Sequence, residues 1–404
     1  MIPFSPPFIS EEIIAEVVAS LRSGWITTGP RTAEFEKQIG EYCEVKNVLA
    51  LNSATAGLEL MLRWFGVGNG DEVILPAYTY AATGNVILHC GATPVFADVN
   101  ESDFNIDPEK ILPIITAKTK AVISVDMGGV PVAYHAIRKL VEDDSIKKLF
   151  NPQNENQKSL GRILFISDAA HSFGAHYQNK RVGSQADVTA FSFHAVKNLT
   201  TAEGGAVCLN FPQPFDNEKI RTELAVKSLH GQNKDALAKT KKGNWEYDIV
   251  EAGYKWNMPD VLAAIGLAGL KIYDSKILNR RREIMEQYHD VFSTDDRFQP
   301  MLFQDANRTS SFHLYLLRVK NISEETRNRI IQKIFDKDVS VNVHFKPLPM
   351  LSVYKSLGFD VKNFPVAFEN YSREISLPVY PSLTDEQVKT IIAAAKDSVS
   401  EILQ

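Results

Sequence analysis

Short apolar runs alternate with helical patterns through the first half of the chain. The runs have strand length, and they predict strands over residues 72–75, 93–97, 121–126, 163–167, 188–193 and 206–209. Apolar residues at helical spacing predict helices over residues 11–22, 32–43, 55–65, 83–89, 108–115 and 134–142. Because parallel strands need crossovers that are usually helices, this alternation predicts an α/β fold with a mainly parallel sheet flanked by helices.

The second half of the chain predicts a smaller α+β domain. A long helical pattern runs over residues 260–292, and mixed strand and helix patterns follow it. We therefore divide the 404 residues into a large domain over 1–259 and a connecting helix with a small C-terminal domain over 260–404. The three consecutive arginines at 280–282 are predicted to form a solvated face of the long helix.

Two polar segments interrupt the alternation. Residues 143–162 contain Asn-Pro and several Asn, Gln and Lys residues, and we predict an exposed loop insertion there. Residues 231–248 form either a solvated loop or a mobile lid that screens substrate phosphates. The second segment is rich in lysine and ends in aromatic residues, namely Lys234, Lys239, Lys241, Lys242, Trp245 and Tyr247.

Charge and composition exclude several classes of partner. The net charge of −5 gives no basic footprint that would indicate binding to nucleic acid or to an anionic membrane. No apolar window approaches the ~20 residues of a spanning helix, and the N-terminus has no signal-peptide pattern, so we expect a cytoplasmic protein. Cys43, Cys90 and Cys208 have neither metal nor disulfide spacing, so we expect no metal site and three small buried residues.

A lysine and an aspartate follow two of the predicted strands. Asp168 comes directly after the strand 163–167, and Lys197 lies just beyond the strand 188–193, in a segment of small residues that would let a ring approach the backbone. Ligands of open α/β sheets bind at this carboxyl edge. Taken singly, Lys197 is a solvent-exposed residue and Asp168 a turn cap. Together they predict pyridoxal phosphate, which needs an amine for a Schiff base and a carboxylate for its pyridine nitrogen.

Other segments offer further contacts to such a cofactor. Residues 52–58 predict a strand-to-helix turn, whose free N–H groups suit a phosphate, although Ser and Thr cap helices in many proteins. Tyr78 or Tyr80, after another strand, either stacks on a planar ring or packs in the core. His171 either hydrogen-bonds the ring oxygen or Asp168, or it packs in the core.

From Ser10 almost to the C-terminus, the chain resembles the nucleotide-sugar aminotransferases of the DegT/StrS family. The resemblance lies in residues 24–30, 52–56, 76–80, 167–171, 192–205, 253–260 and 376–378, which occur in the family's order. It implies the PLP-dependent transferase fold of type I, the architecture of aspartate aminotransferase. It also implies a homodimer in which each active site is built from two chains.

The resemblance implies a cofactor role for individual residues. Lys197 would form the Schiff base, and Asp168 would pair with the pyridine nitrogen. Tyr80 would stack on the ring, and His171, where many relatives have glutamine, would contact the ring hydroxyl. The phosphate would be held by Ser53, Ala54, Thr55 and Ser192.

The resemblance also implies contacts to substrate and across the dimer. Within 253–258 the family often has Asn and Arg where this chain has Lys255 and Asn257, and Lys255 would reach the cofactor phosphate of the partner chain. Thr28, His344 and Lys346 would bind the sugar or its diphosphate.

The implied reaction is a ping-pong transamination from an amino acid, expected to be glutamate, to a keto-sugar nucleotide. The freed amine of Lys197 would move the proton at the reacting carbon, and the product would serve a polysaccharide or a glycosylated metabolite. Two alternatives stay open. Some family members are sugar dehydratases, in which histidine replaces the lysine. A non-catalytic regulatory protein on this fold would tolerate loss of the Lys197–Asp168 pair.

Overall fold

The computed structural model describes residues 1–233 and 246–403. The strands, in chain order, are β1 (Asn47–Leu51), β2 (Glu72–Pro76), β3 (Thr93–Ala97), β4 (Thr119–Val125), β5 (Leu164–Asp168), β6 (His176–Tyr177), β7 (Lys180–Arg181), β8 (Val188–Ser192), β9 (Gly205–Leu209), β10 (Phe298–Pro300), β11 (Arg308–Thr309), β12 (Tyr315–Val319) and β13 (Glu374–Leu377). The α-helices are α1 (Glu11–Arg22), α2 (Pro30–Cys43), α3 (Ala54–Trp64), α4 (Ala81–His89), α5 (Pro108–Ile111), α6 (Tyr134–Val141), α7 (Asp144–Leu149), α8 (Glu155–Leu160), α9 (Asn217–Ser228), α10 (Asp260–Lys271), α11 (Asn279–Phe292), α12 (Glu324–Phe335), α13 (Ser352–Ser356), α14 (Pro365–Arg373) and α15 (Asp385–Leu403).

A 7-stranded sheet in the order β1-β9-β8-β5-β4-β2-β3 forms the centre of the large domain. The pairs from β8 to β3 are parallel, whereas β9 runs antiparallel to both of its neighbours. Every residue of β4 is buried, because helices cover both faces of the sheet. The mainly parallel α/β sheet predicted from the sequence is confirmed.

The predicted elements agree with the observed ones to within a few residues at their ends. Helix α1 and strand β3 have the predicted bounds. The prediction over 108–115 is a short helix, α5, followed by a 3₁₀ turn, Leu112–Ile114. Strand β1 had no bounds in the sequence prediction, although the strand-to-helix turn predicted at 52–58 requires a strand at this place.

The prediction of an exposed loop over residues 143–162 was wrong, because helices α7 and α8 lie there. The Asp143 carboxylate accepts a hydrogen bond from the Ser145 N–H, and Asn154 caps α8 through the Gln157 N–H. The Gln157 side chain is buried and donates to the Phe65 carbonyl oxygen over 3.0 Å. The Asp and Asn residues that indicated a loop are therefore helix caps.

A 3-stranded antiparallel sheet, β10-β12-β13, forms the centre of the C-terminal part, and helices α12 and α15 pack there. The long predicted helix is divided into α10, a π-helical segment (Tyr273–Leu278) and α11. Strand β11 pairs with β6, which comes from the N-terminal half of the chain but lies outside the 7-stranded sheet. The domain boundary at residue 260 stays a prediction. Within the described residues, none of the helices combines the length and the apolar character needed to cross a membrane.

The arginine triplet is only in part a solvated face. The Arg281 side chain is buried, and burial lowers its pKa to about 10. Arg280 pairs with the Asp385 carboxylate at 2.7 Å, and Arg282 is exposed. Three consecutive residues of a helix point in different directions around its axis, so they cannot all face the solvent. Here Arg281 is the residue that faces the interior. Among the cysteines, Cys43 and Cys208 are buried as predicted, and Cys90 is half-buried.

Candidate active site

The carboxyl ends of β5 and β8 bring the two predicted catalytic side chains together. Asp168 is the last residue of β5 and pairs in register with Ala190 of β8. Beyond β8 the chain turns tightly, since the Lys197 N–H donates to the His194 carbonyl oxygen over 2.9 Å. The Thr201 N–H then donates to the Phe193 carbonyl oxygen over 2.8 Å, which closes the loop that carries the lysine.

Lys197 and Asp168 interact electrostatically. Burial lowers the pKa of the Lys197 amine to about 8, although the Asp168 carboxylate opposes that shift. Burial raises the pKa of Asp168, opposed by hydrogen bonds from Thr83 and the Ala170 N–H and by the charge of Lys197. A pKa near 8 leaves a useful fraction of the amine unprotonated near neutral pH, which is what a nucleophile or a general base requires.

Thr83, at the start of α4, fixes the Asp168 carboxylate. The Thr83 hydroxyl donates to Oδ2 of Asp168 over 2.8 Å. The Thr79 hydroxyl oxygen lies 3.0 Å from the Thr83 hydroxyl oxygen. The sequence placed Thr83 only at the start of a predicted helix. Its contact to a residue 85 positions away could not be found from local patterns.

The turn between β1 and α3 exposes the N-terminus of a helix, which suits an anion such as phosphate. Ser53 caps α3 by accepting from the Ala56 N–H over 3.0 Å, so the first N–H groups of the helix, at Ala54 and Thr55, have no partner within the helix. Ser192, at the end of β8, is half-buried and pairs in register with Gly205. The structure therefore brings together the residues that the resemblance assigned to the phosphate.

Gly205 explains how these two elements come so close. A Cβ at Gly205 would lie 2.3 Å from the Ala54 nitrogen and 2.4 Å from the Ser53 carbonyl carbon, so only glycine fits. The sequence interpretation connected the small residues of this segment with the approach of a ring. At Gly205 the group that approaches is the N-terminus of α3, and the cradle it forms fits a phosphate.

His171, three residues after Asp168, is buried and has a defined tautomer. Its Nδ1 accepts a hydrogen bond from the Gly128 N–H over 3.3 Å, so the proton of the neutral ring is on Nε2. Burial, and then the charge of Lys197, lowers its pKa well below the ordinary value. The ring stacks on Phe345 at 5.8 Å between centroids, and Phe345 also contacts Tyr80 at 5.7 Å. His171 and Tyr80 thus line the same part of the site, and 63% of Tyr80 is exposed.

His344, at the edge of the same site, is connected by hydrogen bonds to Ser376 and Glu374. Its Nδ1 lies 2.8 Å from the Ser376 hydroxyl, which donates to Glu374 over 2.5 Å. The Ser376 hydroxyl therefore joins the His344 ring to the Glu374 side chain. Burial, and then the charge of Lys197, lowers the pKa of His344 to about 3, whereas burial raises the pKa of Glu374 to about 8. Lys346 is exposed two residues further on.

Thr28 and Lys255 form a separate cluster. The Lys255 ammonium donates to the Asn257 side chain over 2.7 Å, and Asn257 donates to the Thr28 hydroxyl over 2.6 Å. The Asn52 amide donates to the Lys255 carbonyl oxygen over 3.3 Å, which places this cluster beside the β1–α3 turn. Within the described residues, the Thr28 hydroxyl bonds to Asn257 and to the Met258 carbonyl oxygen rather than to Lys197 or Asp168. The lysines and Trp245 of the predicted lid lie within 234–245, outside the described residues.

Comparison with known proteins agrees with this geometry. The sequence profile of the DegT/DnrJ/EryC1/StrS aminotransferase family matches residues 7–151 and 156–396. The chain is 39% identical over 407 residues to an uncharacterized protein of Methanocaldococcus jannaschii, covering 98% of each. It is 37% identical over 403 residues to the spore coat polysaccharide biosynthesis protein SpsC of Bacillus subtilis, covering 98% of this chain and 97% of that protein.

Solved structures give the same result. Spr1654 of Streptococcus pneumoniae, described as a sugar aminotransferase, superposes in its PMP form with a TM-score of 0.95 at 46% identity, covering 100% of both chains. Its PLP form gives a TM-score of 0.94 at 44% identity. PseC of Helicobacter pylori, an aminotransferase of pseudoaminic acid biosynthesis, gives 0.86 at 29% identity and covers 99% of both chains. The chain belongs to the DegT/DnrJ/EryC1/StrS aminotransferase family and is a pyridoxal-phosphate-dependent aminotransferase with the type I fold.

Proposed function

We propose that the protein moves an amino group from an amino acid, expected to be glutamate, to a keto-sugar carried on a nucleotide. The observation that supports this most is the Lys197–Asp168 pair at the ends of β5 and β8, next to a turn that suits a phosphate. Relatives described as a sugar aminotransferase and as a polysaccharide biosynthesis protein support a sugar as the acceptor. The product would be an amino-sugar nucleotide for a polysaccharide or a glycosylated metabolite, and the expected place of reaction is the cytoplasm.

Each residue of the pair has a distinct task in this reaction. When bound, pyridoxal phosphate supplies an electron sink for the carbanion at the reacting carbon. Asp168 holds the proton on the pyridine nitrogen. The Lys197 amine would act as general base for the proton on the α-carbon of the donor, and its protonated form would deliver a proton to the sugar carbon in the second half-reaction. Ser192 and the N–H groups of Ala54 and Thr55 bind the phosphate.

The contacts at the edge of the site favour a neutral sugar next to His344 and an anion next to Lys346. With its pKa near 3, His344 carries no charge at neutral pH, and its Nε2 can form one neutral hydrogen bond. Such a group suits a sugar hydroxyl or N–H rather than a phosphate. Lys346 is an exposed cation and suits the diphosphate of the nucleotide.

A substrate panel tests the proposal directly. Keto-sugar nucleotides with the ketone at position 3 or 4 are offered with glutamate, and the amino-sugar product is measured together with the free keto-sugars. Lys346→Met is expected to raise KM for the nucleotide-linked sugar by roughly fivefold, the effect of ~1 kcal/mol for an exposed ion pair, without changing KM for glutamate. Lys355→Met, another exposed lysine of the C-terminal part, is the matched control.

Two results would reject the proposal. If a nucleotide sugar loses water while glutamate remains unchanged, the enzyme is a sugar dehydratase. If the pure protein binds pyridoxal phosphate but no donor or acceptor changes its spectrum, a non-catalytic role on this fold is the better description. Equal KM values for free and nucleotide-linked sugars would remove the nucleotide from the proposal while leaving the amino transfer.

We further propose a homodimer in which Lys255 reaches the phosphate of the neighbouring site. Lys255 is exposed, and its ammonium donates a hydrogen bond to the neutral Asn257 side chain. A cation of this kind suits an anion brought by a second chain. Ile249 and Val250, a few residues before it, are 50% and 59% exposed, which is typical of an apolar patch covered by a partner.

Mixing two defective variants tests the shared site. Lys197→Ala and Lys255→Glu chains are unfolded together, refolded and loaded with cofactor. If each site takes Lys197 from one chain and Lys255 from the other, hybrid dimers contain one intact site, and random pairing restores about a quarter of the wild-type sites. Activity equal to the sum of the separate variants would show that Lys255 serves its own chain.

A further inference from the structure

A loop of the C-terminal part, residues 310–314, lies against the large domain next to the catalytic lysine. The Ser311 N–H donates to the Gly129 carbonyl oxygen over 3.0 Å, and the Leu314 N–H donates to the Gly128 carbonyl oxygen over 3.1 Å. The Ser311 hydroxyl also donates to the His171 carbonyl oxygen. The loop is thus attached to the segment that holds the His171 ring.

The same loop holds Asn198, the residue that directly follows Lys197. The Asn198 amide N–H donates to the Ser311 carbonyl oxygen over 2.6 Å. This bond directs the amide oxygen toward His313, whose Nδ1 lies 2.8 Å away. An amide oxygen only accepts, so the His313 Nδ1 carries the proton. Asn198 and His313 are both buried.

His313 is itself held firmly in place. Burial, and next the proximity of the His171 ring, lowers its pKa well below the ordinary value, so the ring stays neutral and Nδ1–H is its single N–H donor. Its ring lies 4.4 Å from the His171 ring, centroid to centroid. The buried Arg281 guanidinium donates to the carbonyl oxygens of Phe312 and His313 over 3.4 Å and 3.2 Å.

We propose that His313 is a positioning residue for Lys197 that acts through Asn198. The His313 Nδ1–H fixes the Asn198 side chain, and Asn198 fixes the backbone from which the Lys197 side chain extends. A reacting group displaced by about 1 Å can lose on the order of 10²-fold in rate, so one hydrogen bond next to the nucleophile has a large effect. The proposal rests on Lys197 as the reacting amine but not on the identity of the sugar.

Two substitutions separate positioning from simple packing. The amide of Asn can place an N–H where Nδ1 of histidine lies, whereas the amide of Gln reaches toward the position of Nε2. His313→Asn should therefore keep the bond to Asn198, and His313→Gln should lose it. Asn198→Ala breaks the same bond from the other side and leaves His313 in place.

The first measurement uses the protein without cofactor. Lysine amines are labelled by reductive methylation with ¹³C-formaldehyde, and the Lys197 signal is assigned by its loss in Lys197→Arg. In the wild type and in His313→Asn, the pKa of this amine should remain near 8. In His313→Gln and Asn198→Ala it should rise by about one unit, because a loosened side chain is less desolvated.

The second measurement follows the glutamate half-reaction of the loaded protein. His313→Gln should lower its rate constant by roughly 10²-fold with little change in the dissociation constant of glutamate, and His313→Asn should stay within several-fold of the wild type. His289→Gln, a half-buried histidine of α11 that contacts Phe303, is the matched control and should leave both readouts unchanged.

The pKa of Lys197 distinguishes a failure of the positioning role from a failure of the proposed amino-transfer function. A shifted pKa in a protein that transfers no amino group would support the positioning role and reject the proposed function. An unchanged pKa in folded His313→Gln and Asn198→Ala, or equal losses in the Asn and Gln variants at position 313, would overturn the positioning role. Thermal unfolding of each variant establishes that it is folded at the assay temperature.

Discussion

Replacing Lys197 by alanine is expected to lower the rate of amino transfer by on the order of 10⁴-fold or more, because this amine both bonds the cofactor and moves the proton. The purified variant should also lack the visible absorbance of lysine-bound pyridoxal phosphate. The measurement is a spectrum of the pure protein, followed by the addition of glutamate. The exposed Lys180→Ala is the control and should retain both band and activity.

The pH dependence of cofactor capture gives the same prediction a second test. The pKa of Lys197 lies near 8, below its ordinary value of 10.5, so the reactive neutral amine increases as pH rises through that value. The rate at which the cofactor-free protein takes up pyridoxal phosphate should rise about tenfold per pH unit below 8 and level off above it. A rate that keeps rising to pH 10 would show that Lys197 is an ordinary solvated lysine.

Replacing Asp168 by asparagine is expected to lower the rate of amino transfer by on the order of 10³-fold. The change keeps the size of the side chain and its acceptor for the Thr83 hydroxyl, but it removes the negative charge that holds the proton on the pyridine nitrogen. Pyridoxal phosphate should still bind, because Lys197 and the phosphate turn are intact. Rates of both half-reactions and the cofactor content of the variant are the measurements.

Thr83→Val gives a graded control for this second prediction. The Thr83 hydroxyl donates to the Asp168 carboxylate and lowers its pKa, whereas burial raises it. Without that hydroxyl, the pKa of Asp168 rises further. As the pH falls, the Asp168 carboxylate of the variant therefore becomes protonated at a higher pH than that of the wild type. The acid limb of the pH–rate profile should therefore move upward while the rate at high pH changes little. An unchanged profile in both variants would contradict the role of the Asp168 charge.

Much of the arrangement at the carboxyl edge of the large sheet could be predicted from sequence, because it follows local patterns. The strands that end at Asp168 and Ser192 are apolar runs that need no distant information, and parallel pairing brings their carboxyl ends to one edge. Ser53 caps α3 through a residue three positions away. The mainly parallel sheet and the neighbourhood of Lys197 and Asp168 follow from these patterns alone.

Other features depended on contacts between distant parts of the chain. Gly205 is needed because the α3 N-terminus packs against it, and Arg281 is buried because one helix face meets the loop at 310–314. Helices α7 and α8 could not be predicted because Asp143 and Asn154 favour a loop and a helix cap equally well.

The sequence by itself determined the sheet, the two reacting side chains and the family. These depend on the periodicity of apolar residues and on short motifs, and both are local properties of the chain. Only the tertiary structure decided the protonation states of His171, His313 and His344 and the pKa of Lys197. Those values depend on desolvation and on hydrogen-bond partners such as Asn198, which lies 115 residues from His313. Burial by distant segments is a property of the packed molecule, so no local pattern around a histidine or a lysine contains it.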